Sequence, residues 1–282
     1  MPRIDLHCHS TVSDGLLEPA ALLRHAARQG VDMLALTDHD DVDGLDAARA
    51  EAGELGIAFV PGVEISVTWR NHTIHVVGLG IDARNPELLQ GLEAVRSGRA
   101  ERARRMAESL ARAGIGGAFE GALRLAGSPR ILARTHFARF LVEQGHARDV
   151  KRVFRRFLVK GRPGYVPHQW AGLEQALGWI RGAGGVAVLA HPGRYDIGAA
   201  TLGALLSEFK DLGGAAIEVV SGSHTPDQHL QFGRKAAAYG LLASAGSDFH
   251  GPGESYLDLG RLPELPTGCR PVWEALLDGR VH

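Results

Sequence analysis

Short apolar, β-branched runs alternate with amphipathic stretches along most of this 282-residue chain, and that alternation allows few folds. Runs at 4–9, 33–38, 58–67, 73–80, 186–191, 216–221 and 242–247 read as strands. Helical periodicity marks 18–29, 45–55, 173–181, 201–212 and 228–239. Pro19 near the start of the first helix and Gly30 just past its end are the expected boundary signals. Such alternation predicts a parallel α/β sheet or barrel, and the length suits one barrel with an insertion. The 37 glycines, about twice the ~7% norm, suit many tight strand-to-helix turns.

One connection breaks the pattern. Trp69-Arg70-Asn71-His72 is too short for a helical crossover, so the runs on either side should pair as an antiparallel hairpin. With Arg70-Asn71 as the loop, Trp69 faces His72 and Glu64 faces Val77. His75 then lies diagonally from Glu64, about 7–8 Å away at Cα, and both could reach one metal.

From 87 to 169 the chain reads as helices only, which divides it into a first barrel part (1–86), a helical insertion (87–169) and a second barrel part (170–282). The insertion is expected to pack over the strand ends and form part of the substrate site. Between Arg96 and Arg162 there are 17 Lys and Arg against 5 Asp and Glu, a balance of +12, while the rest of the chain carries −13. A basic segment on an acidic body suggests an anionic substrate and acids that hold cations; a solvated arginine-rich face is the bland alternative. The two cysteines, Cys8 and Cys269, form no CxxC motif, which argues against a disulfide framework or a thiolate zinc site. A first strand beginning at residue 3 or 4 leaves no room for a signal peptide, and no apolar run approaches a membrane span. A cytoplasmic protein is expected.

The chemistry lies where the histidines fall. The first strand ends His7-Cys8-His9, and period two sends both imidazoles to one side and Cys8 to the other. Two neutral ring nitrogens on one face can hold a cation. The second strand ends Thr37-Asp38-His39-Asp40, the hairpin offers Glu64 and His75, and the later runs end Ala190-His191-Pro192 and Ser247-Asp248-Phe249-His250. Asp14 follows the first strand in a short Ser13-Asp14-Gly15 turn. Only 216–221 carries no such residue at its end. In α/β barrels the C-terminal strand ends converge on one face, so ligand types on five strand ends point to a metal cluster rather than to scattered core histidines and helix caps. The stretch His39–Gly44 mimics a calcium loop but has His39 first and Ala50 twelfth, where a bidentate Glu is needed. No Gly-x-Ser-x-Gly elbow or Walker loop is present.

In this order, DLHCHSTVSDG, ALTDHD, PGVEIS, HVVGL, LAHP and GSDFHG resemble the motifs of the PHP (polymerase and histidinol phosphatase) superfamily. The resemblance covers about two-thirds of the chain. It implies a distorted seven-stranded (βα) barrel with an all-helical insertion and a trinuclear site. His7, His9, Glu64 and Asp248 would bind one divalent ion; Glu64 would bridge to a second held by His75 and His191; Asp14, His39 and His250 would hold the third. Where many relatives have histidine, this chain has Asp14, which makes that site richer in oxygen. Imidazole–carboxylate sites accept Mn²⁺, Fe²⁺ or Zn²⁺, with Mg²⁺ also compatible, and manganese is the expected ion.

Within the insertion, Arg99-Ala100-Glu101-Arg102-Ala103 and 129–138 are similar to the branch of nucleoside 3′,5′-bisphosphate phosphatases and RNase AM-type 5′→3′ exoribonucleases. That resemblance implies that Arg99, Arg102 and Arg134 hold a 5′-phosphate; Arg130 and His224 are weaker candidates. Metals ~3.5–4 Å apart lower the pKa of a shared water from about 15.7 toward ~7, giving a bridging hydroxide that attacks phosphorus. A metal-bound water, His191 or His224 would protonate the leaving group. The expected function is removal of the 3′-phosphate from nucleoside 3′,5′-bisphosphates, with exonuclease action on short 5′-phosphorylated RNA or DNA as an extension. Alternatives are a histidinol-phosphatase-like or other PHP hydrolase, and a non-catalytic metal-binding PHP module.

Overall fold

A computed structural model describes residues 2–277. The chain folds as two compact units, 1–92 with 170–282 and 93–169. Helix α3 (Pro86–Ser97) runs across the boundary between them.

The first unit is a nearly closed barrel. Its strands are β1 (Ile4–Asp5), β2 (Met33–Leu36), β3 (Ala58–Trp69), β4 (His72–Leu79), β5 (Ala171–Gly172), β6 (Val186–Leu189), β7 (Ala216–Ser221) and β8 (Leu242–Gly246). The seven-strand path runs β1-β2-β3-β4-β6-β7-β8, parallel except on both sides of β4, and β5 adds to β3 off that path. Between β1 and β8 the gap closes through Leu6 N–H to Ala245 O at 2.9 Å, Asp248 N–H to His7 O at 2.9 Å and a bridge between Cys8 and Phe249. The hairpin forms in the expected register, with Trp69 opposite His72, Glu64 opposite Val77 and His75 opposite Ser66.

Alternation along the strands builds two apolar layers. Met33, Ala35, Val60, Val77, Val186, Val188 and Ala216 form one cluster, which fills the barrel. Their neighbours Leu34, Leu36, Ala187, Leu189 and Ile217 meet the helices α1 (Pro19–Arg28), α2 (Leu45–Leu55) and others in a second. Several strands stop short of the sequence expectation, by four residues at Asp5 and by two at Leu36 and Leu189. The reason is local. Leu6 packs in the inner cluster while His7 also turns inward, so alternation slips there. Asp40, His191 and Asp248 take φ of 53°, 26° and 56°, which a regular strand does not permit. The backbone gives up its ladder where it must aim side chains.

The second unit, 93–169, is helical, with α4 (Arg99–Arg112), α5 (Ala118–Ala126), α6 (Arg134–Glu143) and a short turn Val150–Val153 around Met106, Leu110, Ala122, Phe137, Leu141 and Val153. No helix among the described residues is long and apolar enough to cross a membrane.

Candidate metal centre

Nine ligand-type side chains carried on or just after six strands, β1, β2, β3, β4, β6 and β8, meet at one rim of the barrel. His7 and His9 flank Cys8, which points away and donates its thiol to Ala35 O at 3.1 Å; the two Nε2 atoms lie 3.2 Å apart. Asp38 is no ligand but a brace. It accepts Ser10 N–H at 2.8 Å and the Ser10 and Ser13 hydroxyls at 2.6 Å, folding the turn that brings Asp14 to 3.3 Å from His250 Nε2. Asp40 accepts the Ser66 N–H at 2.7 Å and its hydroxyl at 2.9 Å, holding the His39 segment against β3. Strained backbone at Asp40, His191 and Asp248 clusters at this rim, as strain does where geometry serves chemistry.

Glu64 is the hub. Its fully buried carboxylate lies 2.7 Å from His75 Nδ1 and 2.9 Å from His191 Nε2 on one oxygen. The other, Oε2, is 2.8 Å from His39 Nδ1, 3.3 Å from His7 Nε2 and 3.4 Å from His9 Nε2, yet has no hydrogen-bond partner among the described residues. Nitrogens this close to a carboxylate but misaligned for hydrogen bonding suit a shared cation. Three groups have donor atoms mutually within 4.8 Å: His7, His9, Glu64 and Asp248; His39, Glu64 and His75; and His9, Asp14, His39 and His250. His9 and His39 each belong to two groups, which the family pattern did not anticipate. The donor set of imidazole nitrogens and carboxylate oxygens, with no thiolate, fits divalent transition ions.

Charge in the cluster is arranged to match. Burial, then His250 and His39, pushes His9 down to about 3, and burial, helped by His39 and His191, takes His75 down to about 4 against the pull of Glu64, so both keep free lone pairs at neutral pH. Burial opposes ionisation of Glu64, Asp14 and Asp248, but the surrounding imidazoles, and Arg194 for Asp248, hold all three well below the usual carboxylate range. His250 goes the other way: Asp14 and Asp248 overcome burial and raise it to about 9. An incoming cation would displace that proton.

Two functional side chains escaped the sequence reading. Glu218, inside β7, presents Oε1 to His7 Nδ1 at 2.5 Å, and Oε2 accepts the His191 N–H at 2.7 Å. A lone buried acid within the apolar run AIEVVS was its available signal. Arg194, just after β6, places Nη1 on Asp248 Oδ2, and nothing in its spacing marked it. Of the expected substrate residues, Arg99 and Arg102 are buried in the second unit. Burial, then the charges of Arg134 and Arg99, pulls Arg102 down to about 9. Arg130 is exposed and pairs with Glu93 at 3.1 Å. His224 has both ring nitrogens on backbone, with Nδ1 donating to Val219 O and Nε2 accepting Gly193 N–H.

The PHP domain family matches residues 5–160, more than half of the chain. The chain belongs to the PHP family. Among PHP relatives, a protein of Chromobacterium violaceum named 3′,5′-nucleoside bisphosphate phosphatase is 52% identical over 276 residues, covering 98% of this chain and 97% of its own. The 5′-3′ exoribonuclease Rnm of Salmonella typhimurium is 47% identical, with 96% and 92% covered. A solved structure described as an amidohydrolase from Chromobacterium violaceum, with bound sulfate and no metal, superposes with a TM-score of 0.95 at 52% identity, covering 98% of this chain and 96% of that one. A candidate metal-dependent phosphoesterase from Bifidobacterium adolescentis follows with a TM-score of 0.80 at 27% identity, covering 97% and 95%.

Proposed function

We propose that this PHP protein is a metal-dependent phosphoesterase that removes the 3′-phosphate of nucleoside 3′,5′-bisphosphates and leaves the 5′-monophosphate. One observation carries the reading: a fully buried carboxylate, Glu64, ringed by five imidazoles, in a chain whose second unit buries two arginines, Arg99 and Arg102. The first feature suits cations, the second an anion.

His7, His9, Glu64 and Asp248 would hold one ion, Glu64, His75 and His191 a second, and Asp14, His39 and His250 a third. Manganese is the ion we favour. Bound divalent ions supply the Lewis acidity that activates water and offsets charge on the phosphoryl oxygens. The chain's own residues orient and anchor. Glu218 keeps the proton of His7 on Nδ1, which leaves Nε2 as the ligand atom. Arg99, Arg102 and Arg134 would grip the 5′-phosphate, as bidentate guanidinium groups suit that anion. Of the two histidines considered for the leaving-group proton, His191 has Nε2 on Glu64 and His224 is committed to backbone; we assign His191 to the ions.

A 5′-phosphorylated oligonucleotide presents a diester where the bisphosphate presents its 3′-phosphate, so stepwise 5′→3′ cleavage is the natural extension, and a relative named exoribonuclease supports it. Assaying adenosine 3′,5′-bisphosphate beside 5′-phosphorylated and 5′-hydroxyl oligonucleotides tests the orientation. Release of the 5′-phosphate, or faster cleavage of the 5′-hydroxyl oligomer, would overturn it.

A further inference from the structure

The turn after β6 carries an arginine that the donor cluster does not need. Pro192–Arg194 form one 3₁₀ turn directly after the strained His191. Two side chains of the next strand–helix segment clamp that turn. His224 Nε2 accepts Gly193 N–H at 3.0 Å, and Gln228 Nε2 donates to Gly193 O at 3.3 Å. Both are fixed in turn: His224 Nδ1 donates to Val219 O at 3.2 Å, and Gln228 caps its helix with Thr225, accepting the Thr225 N–H at 2.8 Å. A Cβ at position 193 would fall 2.7 Å from His224 and 2.8 Å from Gln228, so the close approach needs glycine.

The clamped turn delivers Arg194 to Asp248, yet its side chain stays 48% exposed. Contact runs through Nη1; Nε and Nη2 have no hydrogen bond to protein among the described residues. If Asp248 serves a cation, that ion already balances it, and a guanidinium there purely for charge would only add repulsion. A rigidly mounted, half-exposed fork beside a cation cluster is instead suited to an incoming anion. A phosphoryl group carries close to two negative charges and offers paired oxygens to planar N–H donors.

We propose that Arg194 is the barrel's own ligand for the phosphoryl group that is transferred, and that His224 and Gln228 are positioning residues for the turn that presents it. This rests on the phosphoesterase reading but not on a nucleotide substrate. Arg134 and its neighbours hold the remote phosphate, Arg194 the reacting one, and the two roles separate by assay.

The test uses metal-loaded wild type, Arg194→Ala, Arg194→Lys and His224→Ala, with 4-nitrophenyl phosphate, adenosine 3′,5′-bisphosphate and inorganic phosphate as competitive inhibitor. Arg194→Ala should lower kcat/KM by a similar factor on both substrates, on the order of 10²-fold. It should also weaken phosphate inhibition by about tenfold while retaining all bound metal. Lysine should restore part of the loss, and free guanidinium should rescue Arg194→Ala but not wild type. His224→Ala should show a smaller loss, again equal on both substrates. Loss confined to the bisphosphate would mean that Arg194 grips the remote phosphate instead. Unchanged phosphate inhibition, or a rate loss that tracks lost metal, would also overturn the proposal. If wild type hydrolyses the aryl phosphate but not the bisphosphate, the nucleotide reading fails while the Arg194 comparison stands.

Discussion

Glu218→Gln isolates a buried charge that orients His7 and His191 without joining the cluster. The carboxylate is 1% exposed and serves two donors, His7 Nδ1 at 2.5 Å and the His191 N–H at 2.7 Å. Glutamine keeps the shape but has one acceptor oxygen. Aimed at His7, it leaves the His191 N–H facing an amide NH₂; aimed at His191, it forces His7 to accept on Nδ1 and move its proton to Nε2, the ligand atom. Either way a buried donor or a ligand lone pair is lost, at a cost of about 1–3 kcal/mol. At about 1.4 kcal/mol per decade this is roughly 5- to 150-fold in metal affinity, in line with the ~10–100-fold typical of groups that orient metal-binding histidines. Chelator competition and mass-spectrometric metal counting on the purified variant read it directly. One ion should be weakened, the remainder retained, and activity should recover in excess metal. A variant with wild-type affinity for every ion would refute the reasoning and reduce Glu218 to a packing residue.

Three divalent ions should copurify or load, and chelation should abolish activity; one ion or none with full activity would end the trinuclear reading. His7→Ala and Asp248→Ala should each stop turnover while far-ultraviolet circular dichroism stays near wild type. Arg134→Ala should raise KM for 5′-phosphorylated substrates far more than for an aryl phosphate, and equal losses would place the arginine in the fold or the cluster. Gly246→Ala would set a Cβ 2.3 Å from His7 Cβ, so it should cost about 1–3 kcal/mol of stability or displace His7; unchanged Tm and metal content would show the wall yields freely. Burial raises both thiols, but Cys8 is fully buried, so a thiol reagent should modify Cys269 alone in the folded protein; two rapid equivalents would contradict the packing at Cys8.

The sequence by itself determined what local chemistry can dictate. Period two put His7 and His9 on one side and Cys8 on the other; a two-residue loop dictated the hairpin register that sets His75 diagonally from Glu64; strand–helix alternation dictated a largely parallel α/β sheet or barrel. Helix starts were less legible. The helix expected from residue 228 begins at Pro226, because the capping pair Thr225 and Gln228 lies ahead of the apolar pattern. Tertiary structure alone decided the remainder. Glu218 meets His7 across 211 positions, and Arg194 meets Asp248 across 54, through contacts that no spacing rule encodes. The early strand stops at Asp5, Leu36 and Leu189 have the same origin, since a residue leaves its ladder when aiming a side chain at a common point outweighs one more backbone pair. Periodicity is a property of neighbours along the chain, whereas convergence depends on how the barrel closes, and closure exists only once all the strands are in place.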